Sequence, residues 1–158
     1  MKNLLFTLIL LVLTSSSFAQ NKTALQKWEA TPDGVYFKKW EASLAGKKVQ
    51  ASANKINKYI SANKSMNAVV TSLTLPQGAK LGYGVMVNID GEELILAFGP
   101  ESNNEFNQLR GLKVNDKIEV KSKGVTKAPK YAYPIVNGNY VARDGKIIFK
   151  ALPNKGGC

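Results

Sequence analysis

The residue types that perform most enzymatic chemistry are scarce in this chain, and one is missing. Its 158 residues include no histidine and a single cysteine, Cys158. Without histidine the usual general base, the usual zinc ligand and both the Ser-His and Cys-His nucleophile pairs are lost. Eleven carboxylates remain as acid/base candidates. Asp33, Asp90 and Asp144 each precede a glycine, and Glu92 and Asp116 fall at turns or outward strand positions; turn chemistry accounts for an Asp before Gly. The chain therefore reads as a non-enzyme, with no catalytic, cofactor or metal site expected.

The basic residues offer chemistry of another kind. Twenty-two Lys and Arg against eleven Asp and Glu give a net charge of +11, which suits anionic partners. The densest strip is Lys121, Lys123, Lys127 and Lys130, beside Tyr131 and Tyr133. Lysines hold phosphates or carboxylates, and tyrosine rings offer planes on which bases or sugars stack. The competing reading is a solvated strand face. Cys158 ends a Gly-rich tail, residues 151–158, and cannot close an internal disulfide; it is a candidate for pairing between chains, or an inert thiol.

The elements that position these groups follow from periodicity. From Lys47 to Ala62 the apolar residues Val49, Ala53, Ile56 and Ile60 recur at helical spacing, predicting an amphipathic helix that covers a sheet. The period then changes to two. Val69 to Leu75 reads as a first strand, ended by Pro76-Gln77-Gly78, and Leu81 to Ile89 as a second, with Tyr83, Val85, Val87 and Ile89 on one face. Asp90-Gly91 turns the chain into a third strand with Leu94, Leu96 and Phe98 inward. A short helix is expected over Asn103 to Leu112, capped by Ser102, and then a fourth strand with Ile118 and Val120 inward and its lysines outward. Turns at Asn137-Gly138 and Asp144-Gly145 predict a closing meander up to Lys150.

Ahead of the helix, residues 20–46 form an aromatic segment containing Trp28, Tyr36, Phe37 and Trp40, with an internal echo. Trp28-Glu29-Ala30-Thr31-Pro32-Asp33-Gly34 is answered twelve positions on by Trp40-Glu41-Ala42-Ser43-Leu44-Ala45-Gly46. Two copies are too few for a solenoid.

Three strands, a short helix and further strands from Asn67 to Lys150 resemble the oligonucleotide/oligosaccharide-binding (OB) fold, a five-stranded barrel with a helix between its third and fourth strands; with the helix ahead of them they make one expected domain, residues 47–150. The expected class is mainly β, an OB-fold-like barrel with an N-terminal amphipathic helix. Members of that fold bind on strands two and three; here the outward residues of those strands, Gly82, Gly84, Met86, Asn88, Glu93, Ile95 and Ala97, are neither aromatic nor basic. The segments Lys113–Ile118, Ala128–Val136 and Lys155–Cys158, with Trp28–Gly34, resemble the extracytoplasmic C-terminal tail of membrane metallopeptidases of the beta-lactam-sensor antirepressor type. The resemblance implies an accessory sensing or contact module only, because that family's zinc motif needs two histidines.

Residues 1–19 read as a cleavable signal peptide: Lys2, the apolar run Leu4 to Leu13, and small residues at Ser17 and Ala19 before Gln20. A run of ten is half what a membrane span requires. Removal would take away one lysine, leaving 139 residues with 21 basic and 11 acidic groups, a charge of +10. The sequence thus predicts a periplasmic or secreted module that contacts a protein partner or an anionic envelope polymer. Single-strand nucleic acid or polysaccharide is the alternative ligand.

Overall fold

The computed structural model describes residues 23–100 and 106–151. The expected signal peptide, residues 103–105 of the expected short helix with its Ser102 cap, and Cys158 lie outside them. The chain divides after Lys38 into two compact units.

In the first unit, α1 (Ala24–Glu29) opens on a capping box. The Thr23 hydroxyl accepts from the Gln26 amide at 3.3 Å, and the Gln26 side chain accepts from the Thr23 amide at 2.9 Å. Both bonds satisfy amides that the first helical turn leaves without partners. The chain then enters α2 (Pro32–Ala42), with proline at the position where no amide is needed. Thr31 ties the junction: its hydroxyl donates to the Trp28 carbonyl at 2.6 Å and accepts from the Gly34 amide at 3.1 Å. Gly34 lies so close to α1 that a Cβ there would stand 2.2 Å from the Trp28 carbonyl oxygen.

The second unit repeats this construction twelve residues on. The Ser43 hydroxyl donates to the Trp40 carbonyl at 2.5 Å and accepts from the Gly46 amide at 3.1 Å, and a Cβ on Gly46 would stand 2.1 Å from the Trp40 oxygen. The sequence echo is thus a duplicated helix junction: a Trp carbonyl, a bridging hydroxyl and a close-approach glycine. Ser43 caps α3 (Leu44–Ser61), so the amphipathic helix begins a turn before its expected start at Lys47. Its buried stripe of Val49, Ser52, Ala53 and Ile56 covers the sheet. Asn63, with φ +50°, ends it in the left-handed conformation, and the Lys64 amide reaches back to the Tyr59 carbonyl at 2.9 Å.

Six strands follow in one sheet: β1 (Met66–Ser72), β2 (Tyr83–Ile89), β3 (Glu92–Gly99), β4 (Lys117–Thr126), β5 (Ile135–Arg143) and β6 (Lys146–Lys150). Their order is β3-β2-β1-β4-β5-β6, and β3 also pairs in parallel with β5 through Ile95–Ala97 and Ile135–Asn137. That pairing closes the first five strands into a ring; all other neighbours are antiparallel. Along the same edge of β5, β3 occupies residues 135–137 and β6 takes over from Tyr140 to Arg143. The β2–β3 and β5–β6 hairpins turn at Asp90-Gly91 and Asp144-Gly145. All four residues have positive φ, as a two-residue turn matched to strand twist requires.

The interior core joins Val70, Val85, Val87, Leu94, Leu96 and Val120 with Ile56 from α3. Tyr83, Phe98, Phe106 and Phe149 form an aromatic cluster with centroids 5.0 to 6.3 Å apart, in which Phe106 stacks on Tyr83 and Phe149 and Phe98 meets Phe149 edge-on.

Several expectations need correction. The first strand begins at Met66 and turns Met66, Ala68 and Val70 inward. Leu73 lies beyond it and is 46% exposed: a bulge between Val70 and Ser72 shifts the register, and the pairing ends at Ser72. The described part of the short helix is a turn from Phe106 and one 3-10 turn, Leu109–Gly111. Asn137-Gly138 is not a turn: β5 runs straight through it. Glycine is needed there because a Cβ would lie 2.7 Å from the Phe98 ring and 3.0 Å from Leu96 Cδ1.

The largest correction concerns the face of β2 and β3 read as outward. Met86, Ile95 and Ala97 are buried in a second apolar cluster with Tyr131 and Ile135. Leu75, Ala79 and Leu81 from one loop, and Ala128 and Tyr133 from another, pack around it. The hairpin is therefore covered on both sides.

Candidate binding surface

The six strip residues do not form one surface, because each follows its own element. Lys127, just past β4, turns toward α3: its ammonium donates to the Gln50 side chain and pairs with Glu41 at 3.5 Å. Lys130 donates to the Gly78 carbonyl and lies 5.8 Å from the Tyr131 centroid. Tyr131 is 7% exposed, and its hydroxyl accepts from the Lys80 amide at 3.3 Å. Tyr133 packs against the same cluster. Lys127 thus ties the end of β4 to α3, while Lys130, Tyr131 and Tyr133 hold the second core and its covering loops in place, since an aromatic ring that buries large apolar area while its hydroxyl finds a partner is a packing element.

Lys121 and Lys123 remain outward on β4. The register supplies Lys121 with neighbours that sequence spacing does not reveal. It lies opposite Tyr140 on β5, and Tyr140 lies opposite Lys150 on β6. Val120, Val141 and Phe149, one residue away on each strand, are buried inside, so alternation turns Lys121, Tyr140 and Lys150 out together. The Lys121 ammonium stands 5.5 Å from the Tyr140 centroid, within cation–π range. Tyr140 and Lys150 were missing from the sequence-derived strip because they become neighbours of Lys121 only when β6 pairs. The alternation of Tyr140 with Val141 was the available signal.

Charge changes sign along β4 and not across it. The outward residues of β4 run Lys117, Glu119, Lys121, Lys123. The next row, Asn67, Glu119, Ala142 and Ile147, contains a carboxylate and no cation.

A separate groove of about 590 Å³ lies between the two hairpin tips, lined by Asn67, Asn88, Asp90, Lys117, Glu119 and Asp144 among others. Two of its polar groups serve structure: Asp90 accepts from the Tyr59 hydroxyl, and Asn88 accepts from the Gly91 amide at 3.1 Å.

The perturbed ionisations are also structural. Lys55 beside Glu92 holds that carboxyl below its usual range, pinning α3 to the β2–β3 hairpin. The Asp90 carboxylate pushes the Tyr59 phenol up. Asp116 is held low by the Lys113 amide at 2.9 Å and then by Arg143 at 2.7 Å. Each group sits in an ion pair, a hydrogen-bonded pair or a turn. Among the described residues, no group of three or more His, Cys, Asp or Glu is placed to hold a metal ion, and no helix is long and apolar enough to cross a membrane. Comparison with known proteins gives no match to a family model, a curated protein or a solved structure.

Proposed function

We propose that this chain is an exported, non-enzymatic binding module, built on an OB-type barrel, that takes an anionic envelope ligand on the outer side of its fourth and fifth strands. The ring order β1-β2-β3-β5-β4, with β3 and β5 parallel, supports the OB-type reading. Lys2, the Leu4–Leu13 run and Ser17–Ala19 support export. The absence of histidine, with carboxylates held in turns and ion pairs, supports a binding role over a catalytic one. The similarity of Ala128–Val136 to the outer tail of sensor metallopeptidases favours an accessory place beside an envelope sensor.

The observation that carries the reading is a contrast between two faces. The outer side of β2 and β3 is filled by Tyr131 and its neighbours, while the outer side of β4 keeps Lys121 and Lys123. Binding is thereby moved one side round the ring.

Retention of the purified exported chain on an immobilised polyanion, eluted by a salt gradient, tests this. The expected result is retention at low salt that falls steeply as salt rises, because bound anions displace counterions. A chain that passes unretained at low salt while capturing an uncharged envelope glycan overturns it.

A further inference from the structure

We propose that Lys121, Tyr140 and Lys150 form one clamp for an anionic polysaccharide lying across the strands; this rests on the anionic-ligand reading above and names its site and polymer. Neighbouring strands are separated by about 4.8 Å, so the backbones carrying the two lysines stand about 10 Å apart with the tyrosine midway. Two cations flanking one ring match a polymer with a sugar ring on the aromatic face and carboxylates or phosphates to either side.

The surroundings fix its direction. A polyanion running along β4 would meet Glu119 between Lys117 and Lys121, and like charges repel it there. A polyanion crossing from β4 through β5 to β6 meets Lys121, Tyr140 and Lys150 without a carboxylate in the row. Lys123, exposed two positions further along β4, adds positive field beside the row.

The number of rings separates a glycan from a single-stranded nucleic acid. Strand binders stack successive bases on several aromatics. Within the second unit Tyr131 and Tyr133 belong to the second core, and Tyr83, Phe98, Phe106 and Phe149 stack among themselves. Tyr140 is the aromatic at an outward position of β4, β5 and β6, and one platform suits one sugar.

The experiment is calorimetric titration of the exported chain with polygalacturonate, dextran and oligothymidylate at 150 mM salt. Lys121→Gln and Lys150→Gln are each expected to weaken polygalacturonate binding about tenfold, as loss of one charge-assisted contact does. Tyr140→Leu, which keeps apolar volume under the ring, is expected to weaken it by a similar factor while the melting temperature and circular dichroism stay close to wild type. Lys117→Gln, two rows away from the clamp, is expected to stay within twofold. Dextran is expected not to bind. Polygalacturonate binding that survives both lysine changes overturns the clamp and leaves the anionic-ligand function standing. Failure to bind either polyanion overturns both. Tighter binding of oligothymidylate, lost on Tyr140→Leu, overturns the glycan and assigns the row to nucleic acid.

Discussion

Gly138→Ala tests whether β5 runs through Asn137-Gly138. A Cβ at residue 138 would lie 2.7 Å from Phe98 Cε1 and 3.0 Å from Leu96 Cδ1, where carbon atoms prefer about 3.5 to 4.0 Å. Ring and leucine must therefore give by nearly an ångström, an overpacking cost of about 1–3 kcal/mol. Restricting the unfolded chain returns about 0.4–1 kcal/mol, so the net loss lies between about 0 and 2.6 kcal/mol, with its middle near 1.3 kcal/mol. Phe98→Leu alone forfeits the edge-to-face contact with Phe149, whose centroid is 5.0 Å away, at a cost of about 1 kcal/mol. In the Phe98→Leu background the nearest clash is gone and only the 3.0 Å approach to Leu96 remains, so Gly138→Ala costs much less. The double-mutant cycle should then show a favourable coupling of about 1–2 kcal/mol. Urea unfolding of the four proteins, followed by circular dichroism, measures it from midpoints at constant slope. A hairpin turn at this dipeptide would instead strain alanine through a positive φ, independently of Phe98. Additivity within about 0.5 kcal/mol refutes the strand geometry.

Gly46→Ala would bring a Cβ to 2.1 Å from the Trp40 carbonyl oxygen and 2.8 Å from Glu41 Cα; these backbone atoms cannot rotate away, so the urea midpoint should fall by the equivalent of about 2 kcal/mol or more. Gly111→Ala, which meets nothing within 4 Å, should leave the midpoint unchanged or raise it, and equal losses in the two variants would refute the junction. Asp116 is ionised more readily in the folded chain than in the unfolded one. Its contribution is complete above the unfolded value of about 3.9 and is lost as pH falls through the lower folded value. The stability advantage of wild type over Asp116→Asn should therefore hold between about pH 7 and 5 and shrink below about pH 4. An advantage that grows in acid contradicts the Lys113 and Arg143 contacts.

Local pattern made the ring's inner side legible and its outer side much less so. The alternation of Val85, Val87 and Ile89 with their neighbours, and Asp90-Gly91 after them, placed β2 and its turn correctly. The run Val85-Met86-Val87 and the run Leu94-Ile95-Leu96-Ala97 also hold the sign of a hairpin buried on both faces, since a strand with one wet face alternates more cleanly. Alternation over those strands points Met86, Ile95 and Ala97 outward, whereas the continuity of the runs points them into a second core, where they lie. At Asn137-Gly138 local turn chemistry was overridden by a tertiary fact, the Phe98 ring lying against Gly138. The proposed row was half visible: Lys121 on β4 follows from period, whereas Tyr140 and Lys150 depend on two registers, the second set by the bulge between Val141 and Ala142.

Covering β2 and β3 on both sides also sets a hierarchy of motion. Residues 84–89 and 94–97 lack a wet face along most of their length, and their amides pair within β2–β3 and with β1 and β5. Local fraying does not release such amides to solvent, so they exchange hydrogen only when the second unit opens as a whole. The hairpin is expected to be the slowest-exchanging part of the second unit. Breathing is left to β6, which pairs along one side alone, at the edge where Lys150 sits.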